Sequence, residues 1–377
     1  MSGRGAAVRL PYPHPVMTQH SATTQRSATG SPLEARAGRA DPDPTLGPGE
    51  AVLALDLGGS RIRAAVVTAD GRILARNDGR TPSADGPEAV VTACIDHLRA
   101  ARDAVGASDP GGQGGLPRIV GAGLCAPGPL DARTGVLVEP PNFGPGFTDI
   151  PLGGPVSAAL GLPAFLERDT HVAALAEMAF GAARGVENFL YVTVSTGLGG
   201  AIVIGGRLYG GSDGVAGELG HQVIDLDGPY CNCGGRGHLE AVCSGTALAK
   251  LGTEAARSGA SPTLAAALVR RGAAGLEGRD VALAAEAGDP AATVIVERSI
   301  GAFAAACVGY ANVFNPELIV VGGSMAMAMG DGLLDPARRA VASTAFRIPR
   351  ARLRIVPAAL GDDVGLLGAV PLVASRG

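Results

Sequence analysis

Apolar runs, glycine turns and helical patterns alternate along most of the chain. Residues 51–56 predict a buried strand, which is followed by a turn at residues 57–60 and by a returning strand. Residues 190–196 and 201–204 repeat this plan around a turn at residues 197–200. The repetition predicts an α/β protein with a duplicated architecture and one hairpin in each of two lobes.

Longer apolar periodicities between these units predict helices. They fall at residues 86–104, 171–183, 244–256 and 290–314, and a glycine-containing helix after residue 361 closes the chain. The segment 290–314 is apolar nearly all round, so we predict that it is buried. No uninterrupted apolar run reaches the roughly 18 residues of a membrane helix, and we expect no membrane partner.

The predicted organisation has three parts. Residues 1–49 are rich in Pro, Gly, Ser, Thr and Arg without apolar periodicity, which predicts a disordered N-terminal extension. Its Pro and Gly content disfavours a targeting helix, and a dispensable tail or a misassigned start is the simpler interpretation. An α/β lobe is predicted at residues 50–167 and a second at residues 168–357. The closing helix, residues 358–377, is predicted to pack back on the first lobe.

Composition and charge exclude some classes of protein. The formal net charge is −4 and the sequence pI is about 5.9. The chain therefore lacks the excess of positive charge that is typical of nucleic-acid-binding proteins. Of the 6 cysteines only Cys231 and Cys233 are clustered, and a disulfide across one intervening residue would be strained. This cysteine usage favours a reducing cytoplasm.

Two thiols and two imidazoles lie close together on glycine-rich loops. They belong to His221, Cys231, Cys233 and His238. Four nitrogen and sulfur donors match a closed structural zinc site, and the alternative is a loop held by hydrogen bonds alone. Glu218 and Glu240 lie next to these zinc-binding residues in the sequence. A rigid metal site would orient their carboxylates toward a polar small molecule.

Glycine turns at the ends of strands suit the binding of phosphate. Their backbone N–H groups can point at anionic oxygens, and Asp56, beside Gly58 and Gly59, could hold a magnesium ion through water. A third turn, Gly322–Gly323, follows a strand predicted at residues 317–321. One such turn is ordinary in any hairpin, but three in a two-lobed α/β chain favour a nucleoside triphosphate.

Asp169 is the candidate base for phosphoryl transfer. It follows a predicted strand and begins a predicted helix, whose dipole favours a carboxylate at that end. Phosphoryl transfer needs a group that takes the proton of the acceptor alcohol. The alternative is that Asp169 only caps the helix.

With these motifs in place, the chain resembles the ROK family (repressors, open reading frames, sugar kinases). Members of that family share the two-lobed actin-like/ribonuclease-H-like ATPase fold with a cleft between the lobes. The resemblance covers about residues 51–375. It rests on an ordered series of segments at residues 56–61, 123–131, 141–143, 167–177, 195–200, 217–221, 231–240, 315–317 and 322–323.

The resemblance implies ATP-dependent phosphorylation of a hexose, with glucose as the default and Asp169 as the general base. Sugar would be bound by Gly128, Asn142, Arg168, Glu218, His221 and Glu240. ATP and Mg²⁺ would be bound by Asp56, Gly58, Gly59, Ser60, Arg61, Thr196, Gly197, Gly322 and Gly323. Structural Zn²⁺ would be held by His221, Cys231, Cys233 and His238. A homodimer is also implied.

Three positions depart from the family pattern. His238 replaces a Cys, and an imidazole is still a good zinc donor. Arg168 replaces an Asn that touches the sugar, and Arg only donates hydrogen bonds. Either Arg168 turns away into an ion pair, with Glu167 as the candidate partner, or the sugar site differs from a glucose pocket. His171, which also replaces Asn, is expected on the helix surface or near the cleft without a catalytic role.

Other functions remain open. The sugar could be an N-acetylated amino sugar, mannose, fructose or a cyclitol instead of glucose. A sugar-responsive repressor is disfavoured, because residues 1–49 lack the apolar pattern of a helix-turn-helix module. A non-catalytic sugar sensor is disfavoured because Asp56, Asp169 and all three glycine turns are present.

Overall fold

The computed structural model describes residues 46–107, 115–140, 143–144 and 146–376. Most of the extension predicted at residues 1–49 therefore lies outside the described residues, and so does Asn142. The described residues from Leu46 onward belong to one compact unit. The lobe boundaries near residues 167 and 357 stay predictions.

The described residues form thirteen strands. They are β1 (Glu50–Leu57), β2 (Arg61–Thr68), β3 (Ile73–Arg80), β4 (Arg118–Ala126), β5 (Leu130–Asp131), β6 (Val136–Leu137), β7 (Ile150–Pro151), β8 (Ala164–Arg168), β9 (Phe189–Val194), β10 (Leu198–Ile204), β11 (Arg207–Leu208), β12 (Leu318–Gly322) and β13 (Arg354–Pro357).

The same part of the chain contains twelve α-helices. They are α1 (Pro87–Ala107), α2 (Gly153–Leu160), α3 (Asp169–Ala179), α4 (Gly245–Arg257), α5 (Pro262–Arg271), α6 (Gly278–Glu286), α7 (Pro290–Phe314), α8 (Ser324–Met329), α9 (Asp331–Thr344), α10 (Arg347–Arg350), α11 (Val364–Leu367) and α12 (Ala369–Arg376). Short 3₁₀ turns lie at Ser83–Asp85, Leu219–His221, Leu239–Ala241, Gly272–Ala274 and Gly361–Asp363.

Two five-stranded sheets share one plan. The first has the strand order β3-β2-β1-β4-β8, and the second has the order β11-β10-β9-β12-β13. In each sheet the first three strands are antiparallel, and the last two run parallel to the central strand. The shared order and direction confirm the duplicated two-lobed α/β fold that the sequence predicts.

The central strand β1 is covered on both faces, which explains its unbroken apolar run. Side chains alternate between the two faces of a strand. Leu53 and Leu55 join the core cluster beneath α1, whereas Val52 and Ala54 join the cluster that contains Leu366 of α11 and residues of α12. The helices α11 and α12 near the end of the chain therefore pack on the first sheet.

Several predicted elements have different bounds in the structure. The closing helix predicted at residues 358–377 is divided into α11 (Val364–Leu367) and α12 (Ala369–Arg376). The second glycine turn was expected at residues 197–200, but it occupies residues 195–197, and Leu198 already pairs with Val194 in the β9–β10 ladder. The helix expected at residues 171–183 begins at Asp169 and ends at Ala179. It ends early because the chain turns so that the N–H of Ala182 donates to the Glu177 carboxylate.

The helix α7 has the predicted bounds, but the prediction that it is buried all round is wrong for the single chain. One face packs into the second core cluster through Phe303, Cys307 and Tyr310. Val294 and Val313 on other faces are 63% and 73% exposed. Length and composition alone would allow this helix to cross a membrane. Its packing against α9 and α6 makes it a helix of the folded core.

The buried carboxylate of Glu177 ties α3 to the segment after β13. The N–H of Ala182 donates to one oxygen at 2.6 Å, and those of Ala359 and Leu360 donate to the other at 2.8 and 3.1 Å. Glu177 is 0% exposed, and its charge is spread over three backbone donors.

Replacement of Glu177 by Ala should lower the free energy of unfolding by about 2–4 kcal/mol, since three backbone N–H groups would lose their acceptor. Glu177→Gln keeps one carbonyl oxygen and should cost less. Chemical unfolding followed by circular dichroism measures the change. Glu254→Ala, at an exposed position of α4, is the control. Equal stability of Glu177→Ala and the control would contradict this role.

Candidate active site

Three neighbouring parallel strands end at one edge of the first sheet. Asp56 near the end of β1 is the register partner of Cys125 in β4, and Ala126 pairs with Arg168 at the end of β8. Asp169 follows as the first residue of α3. The carboxyl ends of parallel strands are where open α/β sheets bind ligands. The sheet thus places Asp56 and Asp169 at one edge.

The Asp169 carboxylate is open to solvent, although protein atoms surround it closely. The N–H of Thr170 donates to Oδ1 at 2.7 Å. Burial raises the pKa of Asp169, and the negative charge of Asp56 adds to the rise, while Thr170 and Arg168 oppose it. An accessible carboxylate with a raised pKa suits a proton acceptor better than an ordinary surface Asp.

Asp56 is less free than the sequence predicts. Arg63 donates to its Oδ2, and only 15% of the Asp56 side chain is exposed. Burial raises the pKa of Asp56, although Arg63 opposes this. Because one oxygen is paired, Asp56 could contact a magnesium ion through a bridging water but not as a bidentate ligand, and the magnesium role of Asp56 stays a prediction. The contact of Arg63 with Asp56 was not predicted, because Arg63 lies within β2 and belongs to no recognised motif.

The first glycine turn uses one of its backbone N–H groups in a hydrogen bond within the turn. The N–H of Gly58 donates to the carbonyl of Arg61 at 2.8 Å, so that donor is not free for a phosphate. Gly59 and Ser60 form the rest of the turn, and Ser60 is exposed. Arg61 is also exposed and pairs with Asp78 at 2.5 Å.

The second and third glycine turns come together in the other lobe. The hydroxyl groups of Ser195 and Ser324 lie 2.8 Å apart, which joins the turn of Thr196 and Gly197 to that of Gly322 and Gly323. At Gly323, where φ is +93°, a Cβ would come within 2.4 Å of the Val194 carbonyl, so only glycine fits.

The start of α4 joins these turns and was not predicted as part of the site. The N–H of Gly245 donates to the Ser195 carbonyl at 2.8 Å, and the N–H of Thr246 donates to that of Thr196 at 3.0 Å. Ser244 caps the helix through its hydroxyl. The signal in the sequence was the Ser-Gly-Thr start of a helix, a common N-cap pattern that does not identify a ligand.

The four predicted zinc ligands form one cluster. The ligand atoms of His221, Cys231, Cys233 and His238 all lie within 4.8 Å of one another. Cys233 Sγ is 3.2 Å from His238 Nδ1, and Cys231 Sγ is 3.8 Å from His221 Nδ1. Ligand atoms on tetrahedral zinc are about 3.3–3.8 Å apart. The donor set and its spacing therefore fit a structural zinc ion, with the unusual His238 included.

The two ring nitrogens of His221 face different partners. Nδ1 faces Cys231, and Nε2 lies 3.7 Å from Oε2 of Glu218. A ligand histidine commonly uses its second nitrogen to orient a neighbouring carboxylate. His221 thereby connects the metal cluster to a predicted sugar ligand.

Glu240 connects the cluster to the second glycine turn. Its Oε2 accepts the N–H of Leu198 at 2.8 Å, and Cys231 Sγ lies 3.5 Å from its Oε1. A Cβ on Gly197 would come within 2.8 Å of the same carboxylate. One oxygen of this predicted sugar ligand is therefore already engaged with the turn.

Arg168 forms the ion pair that the sequence left open, but with a different partner. Its Nη2 donates to Oε1 of Glu218 at 2.6 Å, so the expectation of a pair with Glu167 is wrong. Glu218 lies 50 residues further along the chain, which is why local sequence did not reveal it. Nε of Arg168 passes 3.4 Å from the position of a Cβ on Gly128.

His171 is buried, so of its two expected positions the helix surface is wrong, and a position near the cleft stays a prediction. Its Nδ1 is 3.0 Å from Glu167, and its Nε2 is 3.3 Å from the Ala216 carbonyl. Burial alone would raise the pKa of Glu167, but His171, the N–H of Arg168 and Arg376 together lower it. Arg376, which is exposed, joins this pair by donating from Nη2 to Oε2 of Glu167 at 2.6 Å.

Comparison with known proteins identifies close relatives. The model of the ROK family matches residues 52–376. The glucokinase of Thermotoga maritima is 34% identical over 328 residues, which cover 86% of this chain and 98% of that protein. The N-acetylmannosamine kinase of Shigella flexneri is 32% identical and covers 85% of this chain and 97% of its own length.

Solved structures show the same fold. The ROK hexokinase of Thermus thermophilus has a TM-score of 0.70 at 34% identity and covers 85% of this chain and 97% of its own. The ROK glucokinase of Streptomyces griseus in complex with glucose and AMPPNP has a TM-score of 0.66 at 32% identity and covers 85% and 98%.

We expect the purified protein to contain about one zinc ion per chain, because four donors converge at one point. Cys233→Ser should lose most of this zinc, and thermal unfolding should shift to lower temperature by a few degrees, since a structural metal stabilises the fold. Elemental analysis by mass spectrometry measures the metal. Cys94→Ala, which removes a thiol outside the cluster, should retain it. Equal zinc content in both variants would exclude this site.

Proposed function

The chain belongs to the ROK family, and from this premise we propose that it transfers the γ-phosphoryl group of ATP to a hydroxyl group of a hexose. The observation that carries the proposal is the accessible Asp169 carboxylate beside Asp56 at the carboxyl edge of the first sheet. Relatives named glucokinase and a related structure with a bound ATP analogue support a sugar kinase.

In the proposed reaction Asp169 accepts the proton of the attacking sugar hydroxyl. The sugar oxygen forms a bond to the γ-phosphorus, the bond from that phosphorus to the bridging oxygen of ATP breaks, and ADP leaves. A base that is already fixed by the N–H of Thr170 needs little rearrangement to meet the hydroxyl. Its raised pKa makes it a stronger acceptor than an ordinary Asp.

ATP would be held by the glycine turns of both lobes. The second lobe would contribute Thr196, Gly197, Gly322 and Gly323, which lie next to the start of α4. The first lobe would contribute Gly59, Ser60 and Arg61. A magnesium ion, when bound, screens the phosphate charge, and Asp56 would hold it through water. Arg63 sets the orientation of that carboxylate.

The sugar would be held from the side of the metal cluster. Glu218, His221 and Glu240 are the proposed hydroxyl ligands, and Gly128, Asn142 and Arg168 are proposed to line the same pocket. Zinc would fix the positions of His221 and of the loop of Cys231 and Cys233. It would thereby also restrain the carboxylates of Glu218, beside His221, and of Glu240, beside Cys231. Because Glu240 also holds the N–H of Leu198, loss of the metal would disturb the ATP side as well.

Glucose is the reference substrate, because the relatives of highest similarity include glucokinases. An N-acetylated amino sugar is the main alternative, since N-acetylmannosamine kinases are nearly as similar. The proposal further includes a cytoplasmic homodimer, in line with the family resemblance. The apolar residues that α7 exposes, among them Val294 and Val313, suit such a contact.

Asp169→Asn should reduce sugar-dependent ADP formation by about 10²–10⁴-fold, the usual contribution of a general base. A coupled assay with a panel of hexoses measures this. The variant should be as thermally stable as the wild type or more so, because a raised pKa means that ionisation of Asp169 costs folding free energy. Asp103→Asn, at an exposed position of α1, is the control. Full activity of Asp169→Asn would exclude this base.

The pH profile should report the raised pKa of Asp169. The base acts only when ionised, so kcat/KM should fall as pH drops through a pKa above the ordinary Asp value of about 4. Steady-state rates at saturating ATP between pH 4 and 8, with folding checked by circular dichroism, measure the profile. Rates that stay constant down to about pH 4 would contradict the assignment.

A further inference from the structure

The imidazole of His171 joins the helix of the candidate base to a loop that follows β11. His171 is 3% exposed and lies in the first turn of α3, two residues after Asp169. Its Nε2 is 3.3 Å from the carbonyl oxygen of Ala216. A carbonyl oxygen only accepts hydrogen bonds, so Nε2 carries a hydrogen and donates it. The contact therefore connects two segments that lie 45 residues apart in the sequence.

The other side of the ring is held by a buried carboxylate. Nδ1 of His171 is 3.0 Å from Oε1 of Glu167, which also accepts the N–H of Arg168 at 3.0 Å. Oε2 of Glu167 accepts a hydrogen bond from Arg376 at 2.6 Å. In its doubly protonated form the ring donates to Glu167 and to Ala216 at once. These contacts set the orientation of the ring, so Nε2 stays directed at the loop.

The loop at residues 210–218 carries the proposed sugar ligand Glu218. Residues 211–215 are all exposed, and residues 210–214 line a cavity of about 320 Å³ together with Glu167 and His171. Close packing begins only after them. The Ala216 side chain packs against the second core cluster, and a Cβ on Gly217 would come within 2.9 Å of the Gly200 carbonyl. The position of Glu218 therefore depends on how residues 216 and 217 are held.

Among the described residues, two hydrogen-bonded contacts join this loop to the junction of β8 and α3. His171 holds the backbone at Ala216, and Nη2 of Arg168 donates to Oε1 of Glu218 at 2.6 Å. Asp169 lies between Arg168 and His171 in the sequence. The residues on both sides of the candidate base therefore contact the loop that carries Glu218.

We propose that His171 is a positioning residue, which holds the carbonyl of Ala216 and thereby keeps Glu218 aligned with the base Asp169. The inference rests on the proposed kinase function, in which Glu218 binds the sugar and Asp169 accepts its proton. His171 takes no part in the proton transfer. Its contribution is to the placement of the sugar, because a ligand group that is displaced by a small distance binds less well.

Two substitutions separate the two sides of the ring. The side-chain amide of Gln extends as far as Nε2, so His171→Gln retains a donor for the carbonyl of Ala216. The amide of Asn extends only as far as Nδ1, so His171→Asn retains a contact with Glu167 and loses the one with Ala216. Asn also stands at this position in the family pattern, so we expect this variant to fold.

Hydrogen–deuterium exchange measured by mass spectrometry reports on the loop without any need for turnover. Peptides that cover residues 210–221 should exchange about threefold faster or more in His171→Asn, because the loop loses a contact with α3. In His171→Gln their exchange should stay within about twofold of the wild type.

Steady-state kinetics measure the consequence for the sugar. With glucose, or with N-acetylmannosamine where glucose is not phosphorylated, His171→Asn should raise the KM for the sugar by about three- to tenfold. The same KM in His171→Gln, and the KM for ATP in both variants, should stay within about twofold. A purely structural role would lower thermal stability in both variants without separating their KM values.

His97→Gln is the matched control. It removes a partly buried imidazole of α1 that contacts Asn77 of β3, outside the proposed site. This variant should keep the wild-type KM for the sugar and the wild-type exchange of residues 210–221.

The outcomes distinguish the positioning role from the kinase function. Equal loop exchange, or equal sugar KM values, in His171→Asn and His171→Gln would overturn the inference and leave the kinase function intact. Faster loop exchange in His171→Asn alone, with no phosphorylation of any hexose, would support the role of His171 in placing the loop and exclude the kinase function.

Discussion

The parallel pairing of β1, β4 and β8 is the constraint on which the rest of the site depends. It sets Asp56, Cys125 and Asp169 side by side, although they are far apart in the sequence. Burial raises the pKa of both Asp56 and Asp169, and the negative charge of Asp56 adds to the rise at Asp169. The sheet topology thereby produces a carboxylate with a raised pKa, that of Asp169, which is suited to accept a proton.

The second lobe contributes fixed polar groups to that edge through a chain of contacts. The metal cluster holds His221, His221 faces Glu218, and Glu218 holds Arg168 beside the base. Glu240 extends from the same cluster to the N–H of Leu198 in the phosphate-type turn. One small cluster of Cys and His residues therefore contacts residues of both the proposed sugar site and the proposed ATP site.

Sequence patterns predicted the features that local chemistry determines. The strand–turn–strand units, the bounds of α7 and the composition of the metal cluster depend on neighbouring residues and were recognisable. The partner of Arg168, the burial of His171 and the contact of Ser195 with Ser324 were not, because each depends on chain segments tens of residues apart. The exposure of one side of α7 was missed for a related reason. The pattern of apolar residues shows which side chains of a helix are suited to burial, but it does not show which other segments pack against them.

Arg168 lies beside both Glu218 and the candidate base Asp169. Its positive charge opposes the rise in the pKa of Asp169, while burial and Asp56 promote that rise. The same guanidinium donates from Nη2 to Glu218, and its Nη1 is buried without a hydrogen-bond partner among the described residues. A neutral side chain at this position would leave the base with a higher pKa and Glu218 without its partner. The departure from the family pattern is therefore not a local exchange of one sugar contact for another. It also changes the charges beside the candidate base, because Arg168 is a cation whose charge opposes the rise in the pKa of Asp169.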